Sequence, residues 1–294
     1  MPNPHDSILI TGGAGMLAQA LREEMNARQL RGTFVDRAAC DITDDSSVTR
    51  AFEQHRPTLL INCAAHTKVD LCEEQKELAD AINGHAVGRL ARHARNHGTF
   101  LVHISTDFVF DGSSTRPYRP DDPTGPLSAY GKSKLLGEQL LQENAPRKWM
   151  IARTAWLYGR GGPSFPRTMI AAARAGKPLK VVSDQTGSPT YTRDLARALF
   201  NLVDRDGHGI YHLTNIGQTT WFDFTHAILE EFNLKTELSP TTSAEWFKIR
   251  PNSATRPAYS VLDNARYADL VGKPMRTWRD ALRDYHAAVD AHGL

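Results

Sequence analysis

Residues 7–18 read Ser7-Ile-Leu-Ile-Thr11-Gly12-Gly-Ala-Gly15-Met-Leu-Ala18, an apolar run that enters a glycine-rich turn and leaves it as a helical pattern. Leu17, Leu21 and Met25 recur at a spacing of four, which places them on one helix face. Strand, glycine turn and helix in that succession decide the fold. Gly13, Gly15 and Ala18 fit G-x-G-x-x-[GA], and Gly12, Gly15 and Ala18 equally fit G-x-x-G-x-x-[GA]. Either way, the glycines permit a tight turn and let the backbone approach a pyrophosphate seated at the positive end of the helix. Met16 and Leu17 open that helix and join the predicted cofactor contact. A glycine-rich turn without a ligand is the bland alternative. Asp36 weighs against it: the residue ends a second strand 21 positions after Gly15, where a carboxylate can accept from an adenosine ribose. Asp36 favours NADH, whereas Arg37 beside it suits the 2′-phosphate of NADPH, so both cofactors stay open.

Further along the chain, residues 33–36, 58–63, 100–106 and 149–155 read as strands. Several are almost continuously apolar, as expected where helices cover both faces of a parallel sheet. Helical stretches separate them, the longest from about residue 75 to 97. This alternation predicts an α/β fold with a doubly wound, parallel Rossmann-type sheet and right-handed crossovers. After residue 156 the rhythm loosens. A loop at 159–163 is followed by a helix from about 220 to 232 and a last helix carrying Trp278, Leu282, Tyr285 and Val289 on one stripe. The expected division is a dinucleotide-binding domain at 1–156 and a smaller, mostly helical substrate region at 157–294, some segments of which return to the first domain.

Composition removes several function classes. The chain has 294 residues, 40% apolar and 23% charged, enough to bury a sizeable core. Its 35 basic and 33 acidic side chains leave a net charge of +2, too balanced for a nucleic-acid or membrane-surface footprint. The three cysteines, Cys40, Cys63 and Cys72, are too few for a disulfide framework. No apolar run approaches a membrane span. The first residues lack the basic and apolar regions of a signal peptide, so a cytoplasmic protein is expected.

Tyr130-Gly-Lys-Ser-Lys134 opens another helix. A spacing of four stacks Tyr130 and Lys134 on one face, where an ammonium could lower the phenol's pKa from its usual value of about 10. Lys132 falls on a different face. Alone, this pattern more often marks a helix-start tyrosine with solvated lysines. Position strengthens it: the motif follows a strand ending in Ser105-Thr106-Asp107, and ligands of doubly wound sheets bind outside the carboxyl ends of strands. A Thr106 hydroxyl could then polarise a carbonyl oxygen that Tyr130 protonates.

Longer stretches carry a family resemblance. They are Asn62-Cys-Ala-Ala-His-Thr-Lys-Val-Asp70, His103-Ile-Ser-Thr-Asp-Phe-Val-Phe-Asp-Gly112, Arg153-Thr-Ala-Trp156-Leu-Tyr-Gly159 and Asp184-Gln-Thr-Gly-Ser-Pro-Thr190. In these the chain resembles the extended short-chain dehydrogenase/reductases and, within them, the dTDP-4-dehydrorhamnose reductases. The resemblance implies NAD(P)H-dependent reduction of the C4 keto group of dTDP-4-dehydro-L-rhamnose, with Thr106, Tyr130 and Lys134 catalytic. It implies that Asp36, Asp41, Ile42, Ala64, Ala65 and His66 line the dinucleotide. Ser105, Thr106, Asp107, Phe108 and Trp156 are implied to line the dTDP-sugar, with the indole face suited to the sugar's C–H surface. Arg256 suits the pyrophosphate, or is a surface arginine. Two positions depart from the family. Phe108 stands where a tyrosine is common, and Ala20 where some members carry a glutamate that helps bind Mg²⁺ between subunits, so no metal is expected and a monomer or homodimer is. The alternatives are another nucleotide-sugar 4-keto reductase or epimerase, or a non-catalytic methionine adenosyltransferase regulatory subunit.

The remaining candidates read blandly. His93 and His97 lack a companion metal motif, Cys63 reads as core packing, and Arg89, Arg92 and Arg95 read as a solvated helix face. The loop at 159–163 either closes over the substrate or merely connects.

Overall fold

The computed structural model describes residues 3–292. Five strands appear in the expected order: β1 (Ile8–Thr11), β2 (Gly32–Val35), β3 (Leu59–Asn62), β4 (Phe100–Thr106) and β5 (Trp149–Thr154). They form one parallel sheet with the strand Gly209–His212, ordered from that strand through β5, β4, β3 and β1 to β2. All four side chains of β1 and of β3 are buried, which is why those strands read as continuous apolar runs.

Strand alternation distributes this core. Ile8, Ile10, Leu59 and Ile61 face helix α1 (Met16–Ala27) and the helix Thr192–Val203, meeting Leu17, Leu21, Leu195 and Leu199. Leu9 and Leu60 face helix α2 (Asp45–His55) and the helix Ala86–His97, meeting Val48, Phe52, Val87 and Leu90. The order reverses between β1 and β3, and the carboxyl ends there frame the crevice where doubly wound sheets bind ligands.

The long helix expected over 75–97 is interrupted. It breaks at Gln75, continues through Lys76–Ala79, widens into a π turn at Asp80–His85 and only then becomes the helix Ala86–His97. The widened turn lets Asn83 donate to the His66 carbonyl at 3.0 Å and accept from its backbone N–H at 2.8 Å. The π turn is thereby tied to the segment that follows β3.

Beyond β5, helices Phe165–Arg174, Trp221–Glu231 and Trp278–His292 pack around Tyr158, Tyr191, Phe224, Phe232 and Tyr285. Three two-stranded ladders join them: 179–182 with 238–241, 186–187 with 219–220, and 157–158 with 190–191. Strands of two to four residues have too little pattern to show in sequence. No helix among the described residues is long and apolar enough to cross a membrane.

Candidate active site

The turn after β1 works by close approach. Gly12 has φ +68°, and a Cβ there would stand 2.7 Å from the Ala64 backbone nitrogen and 2.8 Å from the Cys63 carbonyl carbon. The ends of β1 and β3 therefore meet only through a glycine. Gly15 N–H donates to the Gly12 carbonyl at 2.9 Å, and Gln19 N–H to the Gly15 carbonyl at 3.1 Å. The N–H groups of the first helical turn, at Met16 and Leu17, thus remain without intrahelical acceptors. Gly13 differs from its expected role. It does not border the cavity; a Cβ there would meet the Phe34 and Val35 backbone at 2.9 Å, so it is a glycine for packing on β2.

A cavity of about 920 Å³ opens at this end of the sheet. Gly12, Gly15, Met16 and Leu17 form its floor, and Asp36, Arg37, Asp41 and Ile42 one end. Asp36 accepts from Ala39 N–H at 3.0 Å, and Arg37 donates to Asp41 at 3.1 Å while remaining largely exposed. Ala64, Ala65 and His66 follow along the wall. Two buried atoms bordering the cavity, His66 Nε2 and Thr154 Oγ1, lack hydrogen-bond partners. A groove with free helix N–H groups, a carboxylate at its far end and unpartnered polar atoms fits a dinucleotide.

Ser105, Thr106, Asp107, Phe108, Tyr130 and Lys134 converge in the middle. Ser128 caps the helix Ala129–Glu143, its Oγ accepting from Gly131 N–H at 3.1 Å, and this sets Tyr130 and Lys134 in consecutive turns. Gly137 lets that helix touch the π turn: a Cβ would lie 2.1 Å from the Asn83 carbonyl oxygen. The Thr106 hydroxyl donates to Asp107 Oδ1 at 3.0 Å. Burial pushes the Asp107 carboxyl up to about 6, against the pull of the Ser260 and Thr106 hydroxyls. The Phe108 ring meets Tyr130 edge-on at 5.6 Å. Ser105 turns its hydroxyl inward to Glu138 at 2.5 Å, and Glu138 is in turn gripped by buried Arg153 at 2.7 Å. That hydroxyl is therefore engaged inside the fold, while Ser105 still borders the cavity.

The phenol of Tyr130 also departs from expectation. Burial raises its pKa, with Asp107 and Cys72 adding and only the Thr106 hydroxyl opposing. The Lys134 amine, expected to lower it, instead donates to the Ile104 carbonyl at 2.6 Å and lies 3.2 Å from His103 Nε2. Burial brings Lys134 itself down to about 8, opposed by Glu138 and Cys63. The arrangement holds a protonated phenol beside a hydroxyl donor, with an amine that titrates near neutrality behind them.

Trp156 and Trp221 close the other end. Their rings stack at 3.4 Å and 7°. Trp156 holds φ +47°, and Gly187 lies under its indole, where a Cβ would come within 2.4 Å. In sequence Trp221 was visible only as part of a helix start. Gly161, Gly162 and Pro163 also border the cavity, Gly162 packing toward the Met16 side chain, so that loop covers the start of α1. Arg256 reaches the rim and pairs with Asp70 at 2.9 Å.

Residues expected to be bland divide. Cys63 borders the cavity, and burial pushes its thiol up to about 12, so it is no thiolate nucleophile. Arg89 is no solvated residue: it donates to the Ile42 carbonyl at 3.0 Å and pairs with Asp45 at 3.2 Å. His93 and His97 pack on Phe52. Ala20 is buried in the core and offers no oxygen to a cation. No cluster of three metal-ligating side chains occurs among the described residues.

The chain is similar to known proteins along almost its whole length. The family described as RmlD substrate binding domain matches residues 6–291. A dTDP-4-dehydrorhamnose reductase of Streptomyces griseus is 42% identical, covering 98% of this chain and 95% of that protein. The spore coat polysaccharide biosynthesis protein SpsK of Bacillus subtilis is 41% identical over 95% and 96% of the two chains. The crystal structure of dTDP-4-dehydrorhamnose reductase from Bacillus anthracis, in complex with NADP, superposes with a TM-score of 0.91 at 35% identity, covering 96% and 99%. The chain belongs to the RmlD family, the NAD(P)-dependent oxidoreductases that include the dTDP-4-dehydrorhamnose reductases.

Proposed function

We propose that the chain reduces the C4 keto group of dTDP-4-dehydro-L-rhamnose with NADPH or NADH, giving dTDP-L-rhamnose. One observation carries the reading. A dinucleotide groove, the Thr106–Tyr130–Lys134 group and a tryptophan pair share one cavity, so a hydride donor and a sugar carbonyl can meet beside a proton donor. Gly12, Gly15, Met16 and Leu17 bind the pyrophosphate, Asp36 the adenosine ribose, and the segment Ala64 to His66 the far wall. The bound nicotinamide supplies the hydride. Thr106 turns its hydroxyl from Asp107 to donate to the carbonyl oxygen, and Tyr130 protonates it; because burial keeps the phenol protonated, Tyr130 enters the cycle as an acid. Asp107 accepts from sugar hydroxyls, Trp156 and Trp221 bound the apolar side of the sugar, and Arg256 approaches the diphosphate. The exposed, Asp41-paired Arg37 beside Asp36 supports use of either cofactor.

The test is direct. Protein incubated with enzymatically made dTDP-4-keto-L-rhamnose should oxidise NADPH or NADH stoichiometrically, each followed separately at 340 nm. Absence of oxidation with both cofactors would sink the reading. Phe108 supports a second possibility within the same chemistry. A wall without the tyrosine hydroxyl suits a dTDP-4-keto-6-deoxysugar with one hydroxyl fewer, and a competition between the two sugars separates these substrates.

A further inference from the structure

The contact between Lys134 and His103 has a direction, and Asn62 on the neighbouring strand β3, with Thr11 on β1 beyond it, decides it. Asn62 Oδ1 accepts from the Ala64 backbone N–H at 3.2 Å and from the Thr11 hydroxyl at 2.6 Å. A backbone N–H can only donate, so the amide is fixed with its oxygen toward Ala64 and its nitrogen toward His103. Asn62 Nδ2 lies 3.1 Å from His103 Nδ1 and can likewise only donate. His103 Nδ1 is therefore the acceptor. Burial, with Lys134 adding, holds His103 well below the usual imidazole value, so the ring is neutral and carries one proton. That proton sits on Nε2, 3.2 Å from Lys134 Nζ. An Nε2–H facing an ammonium is a donor against a donor; facing a neutral amine, it meets a lone pair.

We propose that His103, oriented by Asn62 and Thr11, is a positioning residue that presents Nε2–H to Lys134 and thereby favours the neutral amine, readying the lysine to surrender a proton in each catalytic cycle. The inference rests on the reductase reading above. Other groups near Lys134 act in the opposite sense: Glu138 one turn along the same helix, and Cys63 at the end of β3. Glu138 is engaged by Arg153 and Ser105. The proton balance closes. Tyr130 gives its phenolic proton to the sugar oxygen and is left as phenolate. Lys134 ammonium releases a proton that reaches the phenolate through water in the cavity both residues border, and becomes a neutral amine, whose lone pair accepts from His103 Nε2–H. A solvent proton then restores the ammonium.

Two measurements test this. In the intact, ligand-free protein, ¹⁵N spectra of the histidine rings should show His103 as the Nε2–H tautomer. His212, whose Nδ1 faces the Tyr118 carbonyl at 3.0 Å, supplies the opposite tautomer as reference. In His103→Gln the side-chain carbonyl can accept from the ammonium. The basic limb of the kcat–pH profile should then move up by about one pH unit, with melting temperature and cofactor affinity near wild type. An Nδ1–H ring at His103, or a folded His103→Gln protein whose basic limb stays in place, overturns the proposal. The tautomer needs neither substrate nor variant, so a protein inactive on the keto sugar would refute the reductase reading without touching this result.

Discussion

Tyr130 and Asp107 are both raised in pKa by burial, and the consequences differ. For Tyr130, a phenol that holds its proton is a ready acid, and Tyr130→Phe should cost about 10²–10⁴-fold in kcat. Fluorescence titration should show NADPH affinity nearly unchanged in that variant; substantial turnover would remove Tyr130 from the proton-donor role. For Asp107, the folded pKa of about 6 lies above the unfolded value of about 3.9. Below pH 4 both states are protonated and the group costs nothing. Between the two values the folded state binds the extra proton, so stability falls as pH rises, and above pH 6 the whole penalty is present. Asp107→Asn should therefore raise stability at pH 7.5, by at most about 2–3 kcal/mol, with no difference near pH 3.5 and with weaker sugar binding. Denaturant melts at the two pH values check the sign. Such a penalty at a cavity wall is characteristic of a functional position.

At the level of elements, contact between the helix Ala129–Glu143 and the π turn Asp80–His85 orders the site. Asn83 serves both sides, pinning His66 and donating to Ser133 at 3.0 Å. Gly137 permits the approach, so Gly137→Ala forces a Cβ into the Asn83 carbonyl. Overpacking of this kind costs about 1–3 kcal/mol, and here it also releases the His66 segment. Chemical denaturation should show the stability loss, and calorimetry a weakened cofactor Kd. Unchanged cofactor affinity in a destabilised Gly137→Ala protein would show that the π turn acts on the fold alone. The sheet is simpler: Leu9→Ala removes a buried side chain from a strand covered on both faces and should cost about 2–5 kcal/mol.

For the whole molecule, Trp156 and Trp221 bring parts of the chain 65 residues apart to one cavity. Trp221 opens a helix, Trp156 follows β5, and the two indoles meet face to face. Trp221→Ala takes away half of that wall, far from the groove floor. Its expected result is at least a tenfold rise in KM for the nucleotide sugar, consistent with about 1.4 kcal/mol or more of lost contact, while the Kd for NADPH stays within about twofold. Steady-state kinetics and a cofactor titration separate the two. An equal loss of both affinities would mean that Trp221 supports the cavity as a whole.

Local rules made much of this visible in the chain itself. The strand–turn–helix at 7–18, the apolar strands and the Tyr130–Lys134 spacing depend on residues a few positions apart. Periodicity and turn chemistry therefore report them directly. Almost every residue expected to touch a ligand borders the same cavity, Gly13 excepted, because its missing Cβ accommodates β2 instead. What local rules could not reach depends on neighbours distant in sequence. The inward hydroxyl of Ser105, the Trp221 stack, the Asn83 brace, the raised phenol and the orientation of His103 are each decided by burial and by partners 17 to 65 residues away. The order of residues determined the sheet and the groove; the packing of one segment against another decided which protons the site can move.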